Sequence, residues 1–465
     1  MIDQKAKKTL EDSIPAFIAG KRWFGSKGKS IRYALLDKFG EYSRGKYVAV
    51  FRLVFTDDST ESYFIPLSEN GNGESISDPE INGRRTRLFD ATDDPEFLLS
   101  IVDQIKNAKS VDCGNLILEG SNTGISDIEV KPKPDIQKIK TEQSNTSIII
   151  DNYILKIYRK IMDLDNPDFI LPTMLWKETD FRNTPLPYGR IEIQGERKIM
   201  VGSLMRLVEH AVDGWSRFTS TLSSLMQSSR SHRDILLLED AEKLGTLTGN
   251  LHTAMRYLSR NEDGTFLDYA VKVILPGIRR NLENISRTFS ERSDIFNGNI
   301  RKMLGVFNSR RDSFIRRVES ITGKTAERNL MIVHGDYHLG QVLYHDGKYE
   351  VIDFEGEPMR YSSSNFVKSL PMKDVAGMIR SFDYSFAFSS IRQNKHFTDD
   401  VRSKWLSEMK GLFLKTYRDS FDYDFDEEIL EIFLVEKAIY ELNYEINNRP
   451  DWVEIPLSFL DTRKI

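Results

Sequence analysis

The sequence predicts an α+β fold, and three observations carry that expectation. Strand-like runs such as "KYVAVFRLVF" and "YGRIEIQ" fall before about residue 213. After it, "DAEKLGTLTGNLHTAMRYL" and "WLSEMKGLFLKTYRDSF" space their apolar residues three and four apart, as helices do. A short β-like insertion among those helices, "HGDYHLGQVLYHDGKYEVIDFEGEP" at 334–358, concentrates histidines and carboxylates between apolar runs.

With 465 residues, the chain has length for two or three structural units. Hydrophobic residues make up 40% and charged residues 29%, a globular composition. The net charge of −5, without a long basic tract, argues against nucleic acid as the main partner. Cys113 is the only cysteine, so no disulfide can form within the chain. No apolar segment approaches the roughly 18 residues of a membrane span, and the start "MIDQKAKKTLEDSIPAF" lacks the apolar run of a signal peptide. No membrane partner and a cytoplasmic location are expected. Zinc patterns of the CxxC or HExxH kind are absent.

In chain order, residues 1–20 read as a helix, and "KYVAVFRLVFTDDSTESYFIPLS" as two strands around a polar turn. The loop-like stretch 69–83 closes a first subdomain placed at 1–92. The helix "DPEFLLSIVDQIKNA" opens a second, 93–207. It continues with a hairpin over 142–158 turning at Asp151-Asn152, and with a strand pair, "YGRIEIQ" and "RKIMVGSLMRLV". Residues 208–465 form the helical remainder. The stretch "GSKGKS" at 25–30 ends like a phosphate-binding loop, but Trp23 stands where its first glycine belongs and no strand precedes it. A basic turn with Trp23 and Phe24 packed beneath it is the expectation there.

The chemistry lies in the 334–358 spacing. Asp336 precedes Gln341 by five residues and Asp353 by seventeen. Protein kinases space their catalytic aspartate and two metal ligands similarly, because phosphoryl transfer needs an acceptor for a hydroxyl proton and hard oxygens for Mg²⁺. Asp336 is the expected base, and Gln341 and Asp353 the metal ligands. Glu355, two residues beyond Asp353, projects to the same side of an extended chain. Upstream, Lys156 sits in the apolar strand "YILKIY", where an unpaired lysine is costly. Nucleotide phosphates would give it a reason. The preceding loop Gln143, Ser144, Asn145, Thr146 and Ser147 offers small polar groups to cup them.

Together, "KRWFGSKGKSI", "EQSNTS", "ILKIYRK", "NPD", "DGW", "HGDYHLGQVL", "VIDFEGEP", "DVAGMIRSFDY" and "YELNYEINNRPDWVEIPL" resemble the maltokinase family, from about residue 21 to 457. That family is a branch of the kinase-like fold that includes aminoglycoside phosphotransferases. The resemblance implies a bilobal protein-kinase-like fold with an N-terminal cap subdomain, a β-rich nucleotide lobe and a helical C-lobe. It implies ATP and Mg²⁺ as cofactors and transfer of phosphate to the anomeric hydroxyl of maltose. The product, maltose 1-phosphate, would feed α-glucan synthesis, with room for association with other α-glucan or trehalose enzymes. Asp336 matches the catalytic aspartate, Gln341 and Asp353 the Mg²⁺ ligands, and Lys156 the phosphate-contacting lysine. One departure stands out. Ile170 occupies the position where the family usually has a glutamate, the residue that pairs with the strand lysine in kinases. Asp168 or Glu178 could replace it, or Lys156 could rely on the phosphates.

A sugar site needs carboxylates, amides and aromatic faces. Lys437, Tyr440, Glu441, Tyr444 and Asn448 share one face of a predicted helix that ends before Pro450. His338, Asp374 and Arg380 complete the expected substrate set, each with a bracing role as its alternative. Other acceptors, such as glucosamine or an aminoglycoside, and a non-catalytic regulatory module are the competing readings.

Overall fold

The computed structural model describes residues 2–71, 73–139, 145–162, 165–227, 237–259, 264–324, 328–356, 366–393 and 399–461. The chain divides into two compact units, Met1–Lys177 with Pro185–Glu209, and Glu178–Thr184 with His210–Ile465.

The first unit holds both large sheets. Its opening helix, Gln4–Ala19, is capped by the Asp3 side chain and buries Ala6, Leu10, Ile14 and Ile18, a stripe at every fourth residue. The next segment turns through 25–30 with Trp23 and Phe24 buried, as the sequence predicts. A four-stranded antiparallel sheet follows in the order Ile31–Ser43, Lys46–Phe55, Thr60–Ser68, Phe89–Asp90. The first of these strands is not foreseen. Register shifts at Ile31/Tyr33, Leu36/Lys38 and Glu41/Ser43 break its alternation, which removes the periodic signal. Helix Pro95–Lys106 starts on Asp94, whose carboxylate accepts from the Glu96 and Phe97 amides, with Pro95 in the first turn.

The second sheet has seven antiparallel strands. Their order is Ser110–Asp112, Ile117–Asn122, Pro187–Ile193, Ile199–Arg206, Tyr153–Ile157, Thr146–Ile150, Ile136–Lys138. The hairpin turns at Asp151-Asn152 with Ile150 opposite Tyr153. Asp151 takes a positive φ of 52°, and its carboxylate accepts from the amides of Lys131 and Asp135. Both sheets lie within one compact unit, and one of its cores joins Tyr42, Val48, Val50, Phe64 and Ala91 to residues beyond 93.

The second unit is helical. Its carboxylate-bearing hairpin, Val342–His345 with Lys348–Val351, pairs with Val212–Asp213 in a three-stranded sheet. A second pairing, Met331–Ile332 with Lys368–Ser369, leads into the loop at Asp336. The helix Met372–Arg392 runs almost wholly buried. The helix Glu427–Asn448 begins on Asp426, which caps the Glu428 and Ile429 amides, and stops before Pro450 as predicted. Among the described residues, no helix is long and apolar enough to cross a membrane.

Candidate active site

Lys156 lies on the strand Tyr153–Ile157 opposite Ser147 and Ser203. Its Nζ sits 2.5 Å from Asp168 Oδ2, an ion pair with the aspartate nearly buried and the lysine 22% exposed. The motif "NPD" explains the aspartate's placement. Asn166 Oδ1 accepts from the Asp168 amide, Pro167 occupies the first helical position, and Asp168 faces the sheet from the first turn of Pro167–Glu178. Ile170 packs instead into a small apolar cluster with Tyr158, Phe169, Met200 and Met205.

The loop expected to cup phosphates is shorter than the sequence suggested. Gln143 and Ser144 lie outside the described residues. Asn145 is a half-buried bend residue. Thr146 and Ser147 already belong to a strand, with both side chains buried. Thr146 Oγ1 accepts from Arg159 Nε at 2.8 Å. Arg159 Nη2 continues to Asp90 at 2.7 Å and Thr92 at 2.9 Å. The Thr146 hydroxyl therefore serves the sheet's interior, a correction to the predicted cup, while Ser147 Oγ is buried with no hydrogen-bond partner among the described residues.

In the second unit, Asp336 follows Gly335, whose φ is +89° and whose pro-side-chain direction is closed by Val367. Asp336 Oδ1 accepts from Lys437 Nζ at 3.1 Å, and His338 Nε2 stands 3.9 Å from Oδ2. Burial alone would raise the Asp336 pKa. The Lys437 charge, helped by His338 and Lys373, overrides it and holds the carboxyl well below the usual range. Burial pushes the His338 pKa down to about 4, so its ring is neutral at pH 7 and Lys437 is the principal counter-charge. His338 Nδ1 accepts from the Gly340 amide at 3.0 Å, which leaves the proton on Nε2, towards Asp336.

Gln341 and Asp353 meet across the hairpin, with Gln341 Nε2 donating to Asp353 Oδ2 at 2.9 Å. The Gln341 amide oxygen is left for another ligand. Asp353 is held at φ 65°, a left-handed conformation disfavoured for a non-glycine residue. The next residue, Phe354, is buried against the His334 ring with centroids 5.0 Å apart. Glu355 is exposed. The donor set, partly exposed carboxylates and an amide oxygen, suits Mg²⁺, which takes one or two carboxylates and completes its shell with phosphates and water. Asp353, Gln341 and Glu355 are the residues that would hold it.

Two residues expected on the sugar side are placed elsewhere. Asp374 is 0% exposed. Its Oδ2 accepts from the His334 amide at 2.8 Å and from His252 Nε2 at 3.1 Å, and its Oδ1 accepts from the Gly335 amide at 2.9 Å. Tyr417 Oη lies 2.9 Å from His252 Nδ1. Asp374 therefore fixes the backbone leading to Asp336. Arg380 is 1% exposed, with Nε and Nη2 on Glu441 Oε2 at 3.0 and 2.7 Å and Nη1 on Asp383 at 2.8 Å. Both side chains are committed internally, so neither is available to a sugar.

The helix Glu427–Asn448 presents Lys437 to Asp336 and Glu441, one turn on, to Arg380. Lys437 Nζ also lies 5.2 Å from the centre of the Tyr440 ring. Tyr444 is 42% exposed, and Asn448 Nδ2 donates to the Tyr444 carbonyl. Another turn on from Glu441 stands Glu445, a residue the sequence reading passed over. Its Oε2 and the hydroxyl of Tyr384 are both buried, and Tyr384 is the side-chain donor facing the carboxyl. Burial, with the neighbouring Glu441 charge, pushes its pKa up to about 7 against the pull of Arg449 and the Tyr384 hydroxyl. Its eight-residue spacing from Lys437 was the available signal. His252 carried none, since a lone histidine on an apolar helix face reads as core.

A lysine–aspartate pair beside an antiparallel sheet in one unit, and the Asp336 loop with its carboxylate hairpin among helices in the other, belong to a kinase-like α+β fold. Solved structures of glucosamine kinase share it. One crystal form superposes with a TM-score of 0.69 at 20% identity, covering 99% of this chain and 98% of that one. A complex of glucosamine kinase with glucosamine, ADP and inorganic phosphate gives 0.69 at 19% identity, covering 98% of both. In sequence, the glucosamine kinase of Streptacidiphilus jiangxiensis is 26% identical over 291 residues, 60% of this chain. That match spans 62% of the relative's own length, under two thirds of it. The glucosamine kinase of Mycolicibacterium smegmatis is 24% identical over 332 residues, 68% of this chain and 77% of that protein. No protein-family profile matches the chain.

Proposed function

We propose that this chain is an ATP-dependent sugar kinase and that glucosamine is its acceptor. Asp336 orients the attacking hydroxyl and takes its proton. A carboxylate with so low a pKa is a weak base, which suits a loose phosphoryl transition state where orientation matters more than early proton removal. Lys437 keeps that carboxylate ionised. Gln341, Asp353 and Glu355 would hold Mg²⁺, which neutralises phosphate charge when bound. Lys156, set by Asp168, contacts the nucleotide phosphates.

The observation that supports the choice of acceptor is the buried carboxyl of Glu445, which Arg449 and Tyr384 only partly offset, on the same helix as Lys437 and Glu441. An ammonium group beside it would favour the ionised carboxylate, and glucosamine has one where maltose does not. The glucosamine kinase relatives support the same reading. Maltose is the second reading, supported by the sequence pattern "NRPDW" and its resemblance to maltokinases.

The test is a panel of glucosamine, maltose, glucose and trehalose with Mg·ATP, the products identified by phosphorus NMR. Preferential transfer to glucosamine is expected. Preferential formation of an anomeric phosphate on maltose would install the second reading. Absence of transfer to any of them would overturn both.

A further inference from the structure

The helical hairpin formed by Leu275–Arg292 and Gly298–Lys324 differs in charge from the rest of the chain. Between residues 270 and 324 stand twelve Lys and Arg against five Asp and Glu, a local net charge of +7 in a protein of −5. The apolar residues Ile278, Leu282, Ile285, Leu304, Phe307, Phe314 and Val318 turn inward. The cations remain on the outer surface. Arg280, Arg287, Arg292, Arg301, Lys302 and Arg316 are all exposed. Among the described residues, none of these six forms an ion pair with a carboxylate. On the same hairpin Arg279 and Glu319 do pair, at 2.8 Å. Arg280 and Arg287, seven residues apart, share one helix face.

We infer that this outer face docks an acidic protein segment, a run of Asp and Glu on a partner chain. Charge complementarity is the basis, because among the described residues the six cations lack internal carboxylate partners, Arg287 reaching only the Asn284 amide oxygen, and a row of carboxylates would satisfy them together. The surroundings favour protein over the other polyanions. Among the described residues the hairpin exposes no aromatic ring on which a base could stack, as single-stranded nucleic acid requires. Its apolar stripe is spent on the core, so no amphipathic face is left to enter a bilayer. Val306 and Ile295, 36% and 43% exposed, add small apolar contacts of the kind protein interfaces use. The hairpin lies apart in sequence from the residues assigned to phosphoryl transfer, so the inference stands independently of the acceptor.

The experiment measures fluorescence anisotropy of a labelled poly-glutamate peptide titrated with the full chain at low and physiological salt. Unlabelled duplex DNA and phosphatidylglycerol vesicles serve as competing probes. Binding should weaken with salt, and the triple variant Arg280→Glu, Arg287→Glu, Arg316→Glu should lose about tenfold or more in affinity with sugar-kinase turnover unchanged. Lys7→Glu with Lys8→Glu, on the opening helix, should leave binding intact. The inference is overturned by absence of peptide binding, by binding the triple variant retains, or by tighter binding to DNA or vesicles than to the peptide. Circular dichroism of the triple variant separates lost docking from lost folding.

Discussion

Lys156 and Asp168 form an ion pair 2.5 Å long between a sheet strand and the first turn of the following helix. The lysine is thus held by a residue two positions before Ile170, where related kinases usually place a glutamate.

Asp168→Asn should therefore weaken nucleotide use. The expected loss is about 10- to 100-fold in kcat/KM for ATP, in line with a charge-assisted hydrogen bond of about 1.5–3 kcal/mol. Steady-state kinetics and ADP binding by calorimetry check it. Unchanged values would mean that Lys156 relies on the phosphates alone.

Asp336→Asn removes the proposed proton acceptor but keeps the side chain's size. Turnover should fall by roughly 10² to 10⁴ while ADP still binds. Lys437→Met should act in part through Asp336. Without the ammonium, burial raises the carboxyl pKa, and an acid limb should enter the kcat profile at higher pH than in the parent protein. An acid limb that does not move would show that Lys437 is not what sets the base.

Asp374→Ala leaves the His334 and Gly335 amides and His252 without their common acceptor. A loss of about 3–5 kcal/mol is expected in urea unfolding, since each buried donor left without its acceptor costs about 1–3 kcal/mol. Asp374 is held below its ordinary pKa: burial opposes this, and His252 with the Gly335 amide prevails. A depressed acid stabilises the fold above its unfolded pKa near 3.8 and loses that contribution as pH falls through the folded value. The parent protein should therefore lose stability more steeply than the variant in acid below about pH 4.

Glu445 has the opposite sign. Its pKa is raised to about 7 from 4.5, so the fold favours the neutral acid. That preference is fully present below about pH 4.5 and disappears as pH rises through 7. Melting temperature should fall between pH 5 and 8 in the parent protein and less in Glu445→Gln, compared by calorimetry. If glucosamine is the acceptor, its KM should drop over the same rise in pH, as the carboxylate forms to meet the ammonium. That pH effect should vanish in Glu445→Gln.

Much of this architecture was legible because its signals are local. The Asp151-Asn152 turn, the helix stop before Pro450 and the Asp336–Gln341–Asp353 spacing depend on neighbours a few residues away. What was hidden depends on rotation and packing. Asp168 was one of two candidates, and only the first-turn geometry of its helix turns it to Lys156. Asp374 and Arg380 are polar residues on a helix that proves almost wholly buried, so their partners are internal. Thr146 and Ser147 look like loop residues until Arg159 draws Thr146 into the core. Strand Ile31–Ser43 carries bulges that break its alternation.

The left-handed backbone of Asp353 separates the interests of folding from those of chemistry. A side chain there costs on the order of 1 kcal/mol that glycine would not incur. Asp353→Gly should accordingly yield a protein that melts above its parent yet transfers no phosphate. Selection for thermal robustness alone would then drive this position away from activity, and a heat-stable library screened without an assay would be enriched in inactive enzymes.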